Sequence, residues 1–191
     1  MDICVYCSSS DAVDSKYLES ARVLGRAIGS RGHSLIYGGA AVGSMGAVAR
    51  GTQETGGRII GVIPEKLYGF GLFFDGVDEK IVTGTMRQRK EVMESRAGGF
   101  IALPGGLGTM EEFFEVMVLK QLGYHSKAVV FVDLDGFYEP LMEFLEKLYK
   151  ENFMKDGTRS QYAVVHDPLA ALDYLENYVP EAAESKWFKH P

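Results

Sequence analysis

Along the chain, short apolar runs alternate with stretches in which apolar residues recur every three or four positions. A short apolar run bounded by glycine or polar residues reads as a buried strand, and the three-to-four spacing reads as one face of a helix. Ile3-Cys4-Val5-Tyr6-Cys7 is the first strand so predicted, ending in Ser8-Ser9-Ser10. Leu18, Ala21, Leu24, Ala27 and Ile28 then mark a helix that Gly32 stops. Leu35-Ile36-Tyr37 predicts a second strand, followed by Gly38-Gly39, a loop, and a small-residue helix over 44–54 that Gly56-Gly57 ends. Ile59-Ile60-Gly61-Val62-Ile63 is the third. From 64 to 79 the periodicity fails, and Gly69, Gly71 and Gly76 with four aromatics predict an ordered loop over a site or an interface.

The alternation then resumes. Ile81-Val82 predicts a brief strand, leading to a helix that carries Arg87, Arg89, Lys90 and Arg96, and Phe100-Ile101-Ala102-Leu103 a further major strand. A helix over 110–122, a strand over 128–132, a helix over 138–150, a strand over 162–165 and a helix near 168–178 follow. Strands separated by helices are the mark of an α/β fold with a parallel sheet and right-handed crossovers, in which ligands bind beyond the carboxyl ends of the strands. The loops to watch are therefore those at 8–10, 38–46 and 104–109. No linker or internal repeat interrupts the pattern, so one domain over 1–180 is expected, with 181–191 as a C-terminal tail.

Composition narrows the class. With 46% hydrophobic and 24% charged residues among 191, the chain has ordinary globular values. No apolar run approaches the roughly 20 residues of a membrane span, and the opening Met-Asp-Ile-Cys-Val-Tyr-Cys lacks a basic-then-apolar leader, so a cytoplasmic protein off the membrane is expected. The net charge of -6 repels a polyanion and argues against a nucleic-acid polymer as partner, while leaving room for a small anion in a local pocket. Cys4 and Cys7 have C-x-x-C spacing, but positions three apart in a strand face opposite sides, so they read as buried thiols rather than a redox pair.

The strongest chemical signal is Pro104-Gly105-Gly106-Leu107-Gly108-Thr109-Met110-Glu111-Glu112, between a buried strand and a long helix. Its glycines let a ligand approach the backbone, and a helix start offers unpaired N–H groups at the positive end of a dipole, which together favour a phosphate. The bland account is a tight turn in which Thr109 and Glu112 form a capping box; it covers those two residues but explains the glycines and proline poorly. A second glycine loop, Gly38 to Gly46, also joins a strand to a helix, and two such loops on one sheet edge predict a shared pocket. Its spacing is neither G-x-x-x-x-G-K-[ST] nor G-x-G-x-x-G, and no acidic residue ends the second strand, which disfavours NAD. The cationic run Thr85-Met86-Arg87-Gln88-Arg89-Lys90 precedes the strand that delivers the proline-glycine loop; Arg89 there suits a phosphate or a leaving base, and a solvated helix face is the alternative. The scattered His33, His125, His166 and His190 suggest no zinc site, and no G-x-S-x-G elbow is present.

These residues carry a resemblance. PGGxGTxxE matches Pro104 through Glu112, and RKxxM matches Arg89-Lys90-Glu91-Val92-Met93, as in the LOG (Lonely Guy) family of cytokinin riboside 5'-monophosphate phosphoribohydrolases, often labelled possible lysine decarboxylases. Ser8-Ser9-Ser10, Tyr37-Gly38-Gly39, Gly43-Ser44-Met45-Gly46, Ile60-Gly61-Val62-Ile63-Pro64 and Gln121-Leu122-Gly123 fall in family order, so the resemblance covers about residues 2 to 175. The chain departs from the family at Ala40, Ser44 and Arg87, where glycine, leucine and histidine are usual, and those departures bear on substrate preference.

The resemblance implies a Rossmann-like parallel sheet sandwiched by helices, and hydrolysis of a nucleoside 5'-monophosphate to free base and ribose 5-phosphate with no cofactor. It makes Arg89 and Glu112 the catalytic pair. Substrate-binding roles fall to Ser8, Gly39, Gly43, Met45, Met86, Lys90, Gly105, Gly106, Gly108 and Thr109. The helix after the motif is apolar almost all round, and with the family habit this implies a homodimer. A nucleotide or cofactor carrier without turnover is the rival from another class. A decarboxylase would need a pyridoxal phosphate lysine, and Lys90, the only lysine inside a recognised motif, suits a carboxylate or phosphate partner better.

Overall fold

The computed structural model describes residues 1–180, so the tail expected at 181–191 lies outside the described residues. Strands whose apolar residues run without alternation need cover on both faces, and a parallel sheet between two helical layers supplies it. β1 (Asp2–Tyr6), β2 (Ser34–Tyr37), β3 (Arg58–Pro64), β4 (Glu79–Thr83), β5 (Gly99–Ala102), β6 (Ala128–Val132) and β7 (Ala163–Val165) form one seven-stranded sheet in the order β4-β3-β2-β1-β5-β6-β7. Every neighbouring pair is parallel. On one face lie α1 (Ser15–Ser30), α2 (Gly43–Glu54) and the last helix, Pro168–Asn177, whose Leu24, Ile28, Val48 and Leu172 pack on Ile3, Val5, Leu35 and Val130. On the other face, Met93, Phe113, Val116 and Tyr138 pack on Cys4, Tyr6, Ile36, Phe100 and Phe131.

Cys4 and Cys7 fall in these two opposite cores and are free thiols, as the strand geometry requires.

The stretch over 64–79, expected as a loop, contains a short helical turn, α3 (Glu65–Tyr68). Beyond it the chain folds onto the loop after β2. Ala40 and Phe73 form an isolated antiparallel bridge, Ala41 N–H donates to Leu72 O at 2.7 Å, and Phe74 N–H donates to Gly39 O at 2.9 Å.

α4 (Met86–Arg96) begins in a capping box in which Thr85 accepts from Gln88 N–H and Gln88 reaches back. α5 (Leu107–Gln121) begins three residues before its expected start. The capping box considered for Thr109 and Glu112 is not formed: Gly106 is the N-cap, no side chain caps the helix, and Thr109 already lies in the first turn. An extended glycine can serve as the cap without a side-chain oxygen, which leaves Thr109 and Glu112 for other contacts. Glu112 therefore belongs to the second turn. α6 (Glu139–Lys150) completes that layer.

The chain starts in the middle of the sheet, builds outward to β4, then crosses to β5 on the far side of β1. Connections leaving β1 and β5 diverge at such a point, and a crevice opens between them at the carboxyl ends of the strands.

Candidate active site

The crevice is a cavity of about 520 Å³, within the usual range for small-ligand sites. The three loops marked in the sequence meet there: Ser8, Ser9 and Ser10 after β1, Gly38, Ala40 and Val42 after β2, and Gly106, Leu107, Gly108 and Thr109 at the start of α5. α4 contributes Met86 and Arg89, α5 contributes Glu111 and Glu112, and the segment after β3 closes one side with Leu67, Phe70 and Leu72.

At the floor, Arg89 Nη1 donates to Glu112 Oε1 at 2.7 Å, and the two side chains are only 5% and 4% exposed. Arg89 is anchored a second time, Nε donating to Val62 O at 3.0 Å. Gly38 makes this possible, since a Cβ there would overlap Arg89 Nη2 and crowd the end of Met45. Burial pushes the Glu112 carboxyl above the ordinary carboxylate range, while the Arg89 guanidinium pulls in the opposite direction. Burying two charges carries a desolvation penalty that their attraction does not reliably recover, so stability alone is a weak reason for this pair in a cavity wall.

The residues expected to hold the phosphate divide. Gly106 and Gly108 line the cavity, and a Cβ built on either meets nothing within 4 Å. Thr109 also lines it and is buried. Gly105 lies behind them, and its missing Cβ makes room for the Thr109 side chain. The preceding strand end is braced by Tyr138, whose buried hydroxyl donates to Leu103 O at 2.6 Å while its N–H donates to Asp133 Oδ1 at 2.7 Å.

Of the other expected binding residues, Ser8, Met45 and Met86 line the cavity. Gly39, Gly43 and Lys90 do not. Gly39, at φ +81°, packs on Phe73; Gly43, at φ +59°, donates its N–H to Asp11 Oδ1 at 2.7 Å. Lys90 is ion-paired with Glu111 and Glu115. Among the three departures, Ala40 lines the cavity, Ser44 is buried outside its lining, and Arg87 is exposed.

Several contributors carried little signal in the sequence. Phe70 and Leu72 fall where periodicity fails, and Tyr138 and Asp133 come from a distant segment. Gly38 was visible as part of a glycine pair, but its role as space for Arg89 depends on a residue 51 positions away, from 38 to 89. Among the described residues no group of His, Cys, Asp and Glu is arranged to hold a metal ion, and no helix is long and apolar enough to cross a membrane.

The solved structures include close matches in fold. The molybdenum cofactor binding protein of the phototrophic bacterium Rippkaea orientalis superposes with a TM-score of 0.71 at 24% identity, over 92% of this chain and 94% of that one. The molybdenum cofactor carrier protein of Chlamydomonas reinhardtii gives 0.70 at 24%, over 93% and 98%. At that identity the likeness is one of fold.

Closer relatives exist in sequence. A probable cytokinin riboside 5'-monophosphate phosphoribohydrolase of Oryza sativa subsp. japonica is 36% identical over 189 residues, 97% of this chain and 78% of the relative. A cytokinin riboside 5'-monophosphate phosphoribohydrolase of Arabidopsis thaliana is 37% identical, over 94% of this chain and 84% of its own length, and a second from rice is 39% identical, over 94% and 74%. Residues 45–175 match the family described as possible lysine decarboxylase, and with these relatives the chain belongs to the LOG family of phosphoribohydrolases.

Proposed function

We propose that the cavity binds a nucleoside 5'-monophosphate and that the enzyme hydrolyses its N-glycosidic bond, water adding to the sugar carbon to give ribose 5-phosphate and free base. The observation that carries this reading is the buried Arg89–Glu112 pair in the wall of a cavity into which an uncapped helix start opens. The phosphate sits against Gly106, Gly108 and Thr109, where the dipole of α5 favours an anion and glycine leaves open space. That contact also fixes the ribose over the floor.

Breaking the bond builds positive charge on the sugar, as in glycoside hydrolysis. The Glu112 carboxylate stabilises that charge and orients the ribose or the attacking water, and Arg89 stabilises the departing base. Met45, Leu67, Phe70, Leu72 and Met86 make the remaining wall largely apolar, which suits an adenine carrying an apolar N6 substituent better than plain adenine. Two copies pair through the end of α5, where Val118 is exposed and shares a surface cleft with the exposed Phe153, and Leu122 and Tyr124 are exposed just beyond the helix.

The test incubates the protein with isopentenyladenosine monophosphate and with AMP, measuring free base and ribose 5-phosphate. Base release from the first exceeding that from the second supports the full reading. Tight nucleotide binding with no base release from either would sink it in favour of a carrier. Light scattering on the protein, alone and as Val118→Lys, reports the pairing.

A further inference from the structure

Lys90 is adjacent to Arg89, yet it does not reach the cavity. Its side chain is 10% exposed and its ammonium pairs with Glu111 and, at 2.5 Å, with Glu115 Oε2. Two rungs thus join α4 to α5: a buried one from Arg89 to Glu112, and an outer one from Lys90 to the residue before Glu112 and to Glu115.

The two catalytic groups are held unequally. Arg89 is tied to β3 through Val62 O, whereas among the described residues the Glu112 side chain hydrogen-bonds to Arg89 alone. The aim of Glu112 therefore depends on the rotation of α5 about its own axis. Glu111 and Glu115 are four apart, on one stripe of that helix, so a single ammonium between them opposes both rotation and sliding.

We infer that Lys90 is a positioning residue, locking α5 against α4 in the register at which Glu112 meets Arg89 at the cavity floor. The inference rests on the proposed function for its kinetic arm. Charge gives it a second consequence. The groups acting on Glu112 are Arg89 and Lys90 from α4, Glu111 on α5, Cys4 and Tyr6 from β1, and Cys7 just after it, these last three kept neutral by burial. Without Lys90, the negative charge of Glu111 acts on Glu112 uncompensated and raises its carboxyl further.

Wild type, Lys90→Met and Lys90→Arg are compared for kcat and KM across pH, and the Glu112 carboxyl is titrated by NMR, assigned with Glu112→Gln. In Lys90→Met, kcat falls between about tenfold and about a hundredfold with KM nearly unchanged, as small misplacements of catalytic groups do. The acid limb and the Glu112 resonance both titrate at higher pH, and Lys90→Arg restores most of each. Wild-type kcat with an unmoved titration overturns the inference, as does a rise in KM alone, which would place Lys90 on the substrate. If Lys90→Met does not fold, Glu115→Gln keeps the lysine and removes one anchor. A smaller fall in kcat is then expected, and an unchanged kcat overturns the inference. The NMR titration needs no turnover, so a wild type that releases no base sinks the proposed function and leaves this test standing.

Discussion

The glycine loops after β2 and after β5 have the same build, a strand end, several glycines and a helix start, but their glycines answer to different neighbours. In the loop after β2 the protein itself demands them. Gly39 and Gly43 have positive φ, and a Cβ on Gly43 would lie 2.6 Å from Ser10 N. The start of α2 is already engaged, Gly43 N–H by Asp11 and Met45 N–H by Ser8 O at 3.1 Å. In the loop after β5, Gly106 and Gly108 have no positive φ, and a Cβ on either meets nothing. Those glycines leave space that no part of the described chain fills, at a helix start that no side chain caps. Gly39 and Gly43 thus serve the fold itself, whereas Gly106 and Gly108 leave open space at the cavity.

The largest expected effect tests which loop carries the chemistry. Glu112→Ala lowers kcat for base release about a thousandfold, the scale of a lost acid–base or charge-stabilising group, with ribose 5-phosphate as the readout. Arg89→Ala does the same and also lowers the unfolding free energy by about 3–5 kcal/mol in denaturant titration, because it leaves the Glu112 charge buried and unpaired. Undiminished turnover in both would remove the β5 side from the site.

The next test separates the glycines. Gly43→Ala loses about 1–3 kcal/mol of stability, from left-handed backbone and a clash with the serine loop. Gly106→Ala changes stability by less than about 0.5 kcal/mol but raises KM for the nucleotide. Equal destabilisation in both would erase the contrast.

A smaller effect lies in the pH profile. Because the Glu112 carboxyl is raised by burial, kcat falls on acidification at a pH above the ordinary carboxylate range. A limb at or below that range would mean that Arg89 dominates burial.

The smallest concerns Glu94, at the same helix pair but outside the cavity. Burial, with Glu115 adding repulsion, raises its carboxyl to about 7 from 4.5. The folded state therefore binds more protons than the unfolded state between those values. Stability declines as pH rises from about 4.5 through about 7 and is flat beyond. Glu94→Gln flattens that slope in denaturant titrations across the interval; an unchanged slope would assign it to other groups.

Much of the architecture was legible because its causes are local. Ala128-Val129-Val130-Phe131-Val132 is fully buried in β6, where uninterrupted apolar residues require cover on both faces. The proline-glycine motif, the serine run and Arg89 were likewise visible and do share one cavity. The start of α5 was misplaced because Thr109 and Glu112 imitate a capping box, and only the contact of Glu112 with Arg89 reveals the alternative use. α3 was missed because four residues show no period, and what holds that segment is its bridge to the loop after β2.

By itself the sequence determined the order and type of the seven strands and the long helices, the parallel sheet, and which residue types stand at the carboxyl ends of its strands. Period and turn chemistry act within a few residues, so they can be read without knowing what lies across the molecule. Only the tertiary structure decided that Gly38 makes room for Arg89, that Lys90 turns to Glu111 and Glu115, and that Phe70 and Leu72 wall the cavity. Those outcomes depend on packing between segments far apart in the chain, where sterics and charge choose among partners that no local pattern names.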